Sequence, residues 1–132
     1  MDKIAEMLTK IRNASLAGHE DVTVGFSGFK LNLAKILERE GFVKSAFGDK
    51  NNARKIRIIL KYNKVSGAKK IPAIGGIRKI SQSGQRVYIK NKDIKSVRNN
   101  FGKAIFSTSK GIMTGEETKK TGLGGEYICE IW

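Results

Sequence analysis

Arg54-Lys55-Ile56-Arg57-Ile58-Ile59-Leu60-Lys61-Tyr62 alternates in a way that only an extended chain uses: Ile56, Ile58 and Leu60 share one face, Arg57 and Lys61 the other. A strand with one apolar face needs a core, and the residues upstream supply one. Phe42 to Phe47 reads as a second strand, and Gly41 stops the helix that precedes it. That helix starts after Ser27, a capping residue, and carries Leu33, Ile36 and Leu37 at helical spacing. Asp21 to Phe26 alternates Val22, Val24 and Phe26 inward as another strand. Ile4, Met7, Leu8, Ile11 and Ser15 give the first helix one buried stripe as far as about Ala17, with Asp2 placed to cap it. The result is an α-β-α-β-β lobe over residues 1–64.

Downstream, Asn63 to Lys70 reads as a basic loop, its part from 65 to 70 connecting two lobes. Ile71 to Ile80 holds the only proline, Pro72, and the pair Gly75-Gly76, so it reads as a broken or edge strand. Ser83-Gly84 turns the chain into a strand of Arg86 to Ile89. A short helix is expected over Asp93 to Asn100, then a strand from Lys103 to Phe106. Ser107 to Gly111 then forms a loop dense in hydroxyl groups. Thr114 and Glu117 make a capping box for one or two helical turns ending at Gly122, and Glu126 to Trp132 is a last strand. The fold class is α+β: the N-terminal lobe packed against a mostly β C-terminal lobe, residues 71–132, with short helices.

The 132 residues include 26 Lys and Arg against 12 Asp and Glu, a net charge of +14. The excess is regional. Lys50 to Lys110 contains 17 basic residues and one acid, Asp93, for a net +16, while the rest of the chain nets −2. Solvation is served as well by mixed signs. Near-exclusion of acids over so long a stretch creates a field that attracts phosphate and releases counterions, which points to nucleic acid. An anionic membrane is a poorer match because the basic stretch has no amphipathic helix.

Other classes find little support. No run approaches the roughly 18 apolar residues of a membrane helix, and the opening residues lack the apolar centre of a signal peptide, so the chain is expected to be intracellular. Cys129 and His19 are each the only residue of their kind, which leaves no Cys/His metal cluster and no cofactor site. Ser107-x-x-Lys110 and Lys120-Thr121-Gly122 spell two motifs of penicillin-recognising enzymes, but the Ser-Asp-Asn that should accompany them is absent. In Ser107 to Gly111 the glycine follows Lys110, the reverse of a phosphate-cradling P-loop. Hydroxyls and a lysine on a tight loop suit RNA instead, with Ser and Thr reaching base edges and 2′-hydroxyls and Lys110 neutralising phosphate. Arg86 and Tyr88 join them as a cation and a stacking ring, and Lys55, Lys69 and Lys70 as phosphate contacts.

Two segments carry a more specific likeness. Ala104 to Thr114 (AIFSTSKGIMT) and Gly122 to Trp132 (GLGGEYICEIW) resemble the two signatures of the bacterial small-subunit ribosomal protein eight family. Ile4 to Ala14 is similar to that family's first helix, and Arg86-Val87-Tyr88 to its middle segment. The resemblance implies a non-enzymatic primary binder of the central domain of small-subunit ribosomal RNA, acting in the cytoplasm as part of the ribosome. It implies RNA contacts from Ser107, Thr108, Ser109, Lys110, Gly124, Gly125 and Glu126, and from Thr9, Arg12 and Asn13 on the first helix; Gly111, which ends the hydroxyl loop, is a candidate from the loop itself. Neighbouring ribosomal proteins are the implied protein partners, with a monomer expected when free. Some families of this kind also bind their own messenger RNA, a partner left open here. An RNA-processing enzyme and a general basic nucleic-acid-binding architectural protein are the alternatives.

Overall fold

The computed structural model describes residues 2–49, 51–52, 54–95 and 102–132, in two compact units: residues 6–75, and residues 76–132 together with the start of the chain up to Ala5. The first unit runs α1 (Lys3–Ala17), whose first turn counts with the other unit, then β1 (Asp21–Gly25), α2 (Gly28–Arg39), β2 (Val43–Gly48) and β3 (Lys55–Leu60). These are the expected elements. Asp2 Oδ1 accepts the Ile4 and Ala5 amides at 3.0 and 3.2 Å, and Ser27 Oγ accepts the Lys30 amide at 3.1 Å, so both helices start on side-chain caps. Both also end alike. Gly18 and Gly41 take positive φ, and the amides of His19 and Phe42 reach back to the carbonyls of Ala14 and Leu37, closing the ends with Schellman motifs.

Strand β3 is central in an antiparallel sheet of order β1-β3-β2. Its Ile56, Ile58 and Leu60 are buried, as are Val24, Val43 and Ala46 beside them and Leu33, Ala34, Ile36 and Leu37 of α2. Each such valine, leucine or isoleucine contributes roughly 2 kcal/mol on leaving water. Phe26 departs from the expected inward alternation. The strand ends at Gly25, the Phe26 amide donates to Arg54 O, and the ring is 47% exposed because Ser27 has already turned the chain into α2.

The expected loop at 63–70 is a hairpin. Strands β4 (Tyr62–Ser66) and β5 (Lys69–Pro72) pair antiparallel, with a bulge between Lys64 and Ser66 and Gly67 at φ 53° in the turn. Almost every residue of it is exposed, including Val65 and Ile71, so no apolar alternation marks it. Pro72 ends β5, consistent with the break expected there.

The second unit contains β6 (Ile77–Lys79), β7 (Tyr88–Ile89), one 3-10 turn (Asn91–Asp93), β8 (Lys103–Thr108), β9 (Gly111–Thr114), α3 (Gly115–Lys120) and β10 (Gly125–Ile131). Of the helix expected from Asp93 to Asn100, Ile94 and Lys95 are not helical and residues 96–100 lie outside the described set. Strand β10 is the hub of the sheet, in order β6-β10-β8-β9 with β7 also pairing to β10. On one face Phe106 stacks on Tyr127 at 4.7 Å among Ile89, Ile94 and Ala104, and Ile105 is fully buried on the other. The capping box of α3 is present: Thr114 Oγ1 accepts the Glu117 amide and Glu117 Oε1 accepts the Thr114 amide. Among the described residues, no helix is long and apolar enough to cross a membrane.

Candidate nucleic-acid interface

Strand β8 continues two residues beyond the expected Phe106. Ser107 and Thr108 are its last residues, Ser109-Lys110 the turn, and Gly111, at φ 111°, the first residue of β9. The expected hydroxyl loop is therefore the tip of a hairpin, and its three hydroxyls differ. Thr108 Oγ1 donates to Gly111 O at 2.9 Å and accepts the Lys110 amide at 3.1 Å, so this hydroxyl closes the turn. Among the described residues, neither Ser107 Oγ nor Ser109 Oγ has a hydrogen-bond partner. Ser109 and Lys110 are exposed and Ser107 is half-buried.

Because β10 lies between β7 and β8, Tyr88, Glu126 and Ser107 stand side by side across three strands. Alternation sends Phe106 and Tyr127 to the opposite face. Arg86 Nη1 donates to Glu126 Oε2 at 3.0 Å, and that hydrogen bond with the carboxylate's charge holds the guanidinium pKa above its ordinary value. The Tyr88 ring is 71% exposed, with no core to occupy. The row thus offers an aromatic face, a carboxylate aimed by an arginine and a hydroxyl.

Gly124 and Gly125 serve the backbone. A Cβ on Gly125 would stand 2.5 Å from Ser107 O, and one on Gly124 2.6 Å from Ile89 O, so only glycine lets the three strands close at this point. Two supporting residues leave no mark in the sequence. Asn91 Nδ2 donates to the carbonyls of Thr118, Lys119 and Leu123 at 3.1, 3.2 and 2.8 Å, fixing the approach to Gly124. Ser81, fully buried, accepts the Val87 amide at 2.8 Å and so sets the start of β7. An isolated Asn or Ser has no spacing to betray it. Lys79 donates to the Ser81 carbonyl and lies 3.4 Å from Asp2. Burial raises the Asp2 pKa, but the Ala5 amide and the Lys79 charge more than offset it, leaving the carboxyl below its ordinary value.

The remaining expected contacts are carried by the first unit. Thr9, Arg12 and Asn13 share the exposed side of α1, opposite the buried Met7, Leu8, Ile11 and Ser15. Lys55 opens β3, and Lys69 and Lys70 project from β5, all exposed. Among the described residues, no three His, Cys, Asp or Glu side chains gather as a metal site. Burial pushes the Cys129 thiol up to about 12, far from a nucleophile's range.

Residues 2–132 match the profile of the family described as ribosomal protein S8. Small ribosomal subunit protein uS8 of Caldanaerobacter subterraneus subsp. tengcongensis is 48% identical over 99% of this chain and 97% of its own length. The proteins of the same name from Syntrophomonas wolfei and Clostridium novyi are 45% and 48% identical over the same shares.

Proposed function

The chain belongs to the ribosomal protein S8 family, and from that premise we propose that it is a structural, non-enzymatic constituent of the small ribosomal subunit that binds the central domain of the 16S ribosomal RNA and helps assemble the platform. It works in the cytoplasm as part of the ribosome, beside neighbouring small-subunit proteins. The C-terminal lobe, residues 71–132, is the part that reads RNA.

The observation that carries this reading is the row Tyr88, Glu126, Ser107 on the open end of one sheet face. Irregular RNA exposes bases that a regular A-form helix hides. Tyr88 stacks on such a base or its ribose. Glu126, pointed by Arg86, accepts from an exocyclic amine, which only some bases present. Ser107 and Ser109 exchange hydrogen bonds with base edges and 2′-hydroxyls, and Lys110 meets phosphate. Thr108 and Gly111 shape the turn that presents Ser109, and Gly124 and Gly125 let strand backbone and RNA approach closely. Thr9, Arg12 and Asn13 add contacts from α1, with Lys55, Lys69 and Lys70 holding phosphates.

A salt titration of binding to the central domain, beside a scrambled RNA of equal length and the matching DNA, tests this. Tight binding to the native RNA alone, surviving moderate salt, supports site recognition. Equal and steeply salt-sensitive binding to all three marks a general polyanion binder and overturns it. A fragment of the protein's own messenger RNA, used as competitor, tests that further partner.

A further inference from the structure

A recess of about 520 Å³ opens in the first unit where the end of α2 meets β2, β3 and the β4–β5 hairpin. Lys44, Lys61, Lys64 and Lys70 line it, and none of the four forms an ion pair among the described residues. Glu38, its one carboxylate, is already engaged, accepting the Ala46 amide at 2.9 Å and lying 3.5 Å from Lys35. Lys61 Nζ is 3.8 Å from where a Cβ on Gly41 would stand, just past the end of α2. Like charges drawn around one concavity repel, and a multivalent anion relieves them all together.

The interior differs from the rim. Val43 and Leu60, almost fully buried, close the floor, and Tyr62 stands beside them, half-buried, with its hydroxyl donating to the His19 carbonyl, which fixes the ring. Lys70 Nζ lies 4.8 Å from the centroid of that ring, so the cation and the π face are already paired. Apolar floor, fixed aromatic and cationic rim match the two ends of a nucleotide, and the volume falls in the range of small-molecule sites, about 300–1,000 Å³. We propose that this recess binds a nucleotide, its base at the Tyr62 ring over the apolar floor and its phosphates on the lysines. The same chemistry is offered by a free nucleoside triphosphate and by one nucleotide of a single strand. The site lies wholly within the first unit and shares only Lys70 with the ribosomal RNA contacts proposed above.

Isothermal titration of the full chain with ATP, with inorganic tripolyphosphate and with a short oligoadenylate tests the proposal. One saturable site is expected for ATP or for the oligoadenylate, and the tighter of the two identifies the source. Tripolyphosphate, lacking a base, binds more weakly than ATP in either case. Lys61→Ala/Lys64→Ala should weaken the site about tenfold or more, the scale of losing charged hydrogen bonds. Lys92→Ala/Lys95→Ala removes the same charge from the other unit and should leave it unchanged. Neither ligand saturating, tripolyphosphate equalling ATP, or equal losses in the two variants, as a diffuse positive field would give, overturns the nucleotide site. Central-domain RNA binding by the Lys61/Lys64 variant is read separately, so failure here leaves the ribosomal reading untouched.

Discussion

Two hairpins of this chain can be set side by side. Both β4–β5 and β8–β9 are short, antiparallel and basic, and each has a glycine at positive φ at its turn. The first stands as its own two-stranded sheet with nearly every side chain in water. The second is the edge of a larger sheet, with Ile105 and Phe106 buried, Thr108 hydrogen-bonded across the turn, and Gly125 pressed against the Ser107 carbonyl. The difference teaches how one motif serves two kinds of recognition. A hairpin without a core leaves most of its side chains in water, its lysines suited to phosphate along a polyanion, with Lys70 held over the Tyr62 ring. A hairpin built into a core holds hydroxyls in one geometry, which reading a base requires.

The largest effect should come from closing the space between strands. Gly125→Ala puts a methyl group against the Ser107 backbone and should lower unfolding free energy by about 3 kcal/mol, the upper end for overpacking, whereas Gly67→Ala, with open space around it, costs only the about 1–2 kcal/mol of a left-handed alanine. Equal losses in urea denaturation would break the comparison. Ser109→Ala should weaken specific RNA binding by about 1–3 kcal/mol and leave unrelated RNA unaffected. Filter binding with both RNAs decides it, since an equal drop removes the base-reading role.

Thr108→Val keeps shape and loses both turn hydrogen bonds, so stability should fall by about 1 kcal/mol and specific affinity with it, seen by thermal melting and binding together. Lys69→Ala/Lys70→Ala should leave melting unchanged and make the salt slope of RNA binding shallower by about one unit for each phosphate that the two lysines neutralise. An unaltered slope returns those lysines to a solvated face. A further effect is alkaline. Because folding raises the Cys129 pKa from 9.0 to about 12, the folded state keeps a proton that the unfolded thiol gives up, so this contribution is full below pH 9 and is lost as pH rises toward 12. Cys129→Val should flatten that part of the decline when denaturation is compared at pH 8 and pH 10.

The same contrast explains what the sequence made legible. Helices α1 and α2 and strand β3 each bury one side, so their apolar residues recur at the period of the element, and Asp2, Ser27 and Thr114 announce helix starts through fixed spacing. The β4–β5 hairpin buries almost nothing and leaves no period to read. In the candidate interface, residue types were readable and their arrangement was not. That Tyr88, Glu126 and Ser107 form a row depends on which strand inserts between which, and that Thr108 differs from its serine neighbours depends on the turn geometry.

Strand β10 has a bearing on the order in which this protein is made. A ribosome releases the chain from its N-terminus, so β1, β2 and β3 can join as soon as β3 has emerged. Strands β6, β7 and β8 wait for their common partner, Ile77 for Ile131 and Tyr88 for Glu126. Until then β7 and β8 have unpaired edges, the kind of exposure that favours aggregation during synthesis. The row of residues proposed to read RNA comes into being only when β10 is seated, so a chain cut short before it keeps lysines for phosphate but lacks the row that would tell the RNA site from any other polyanion.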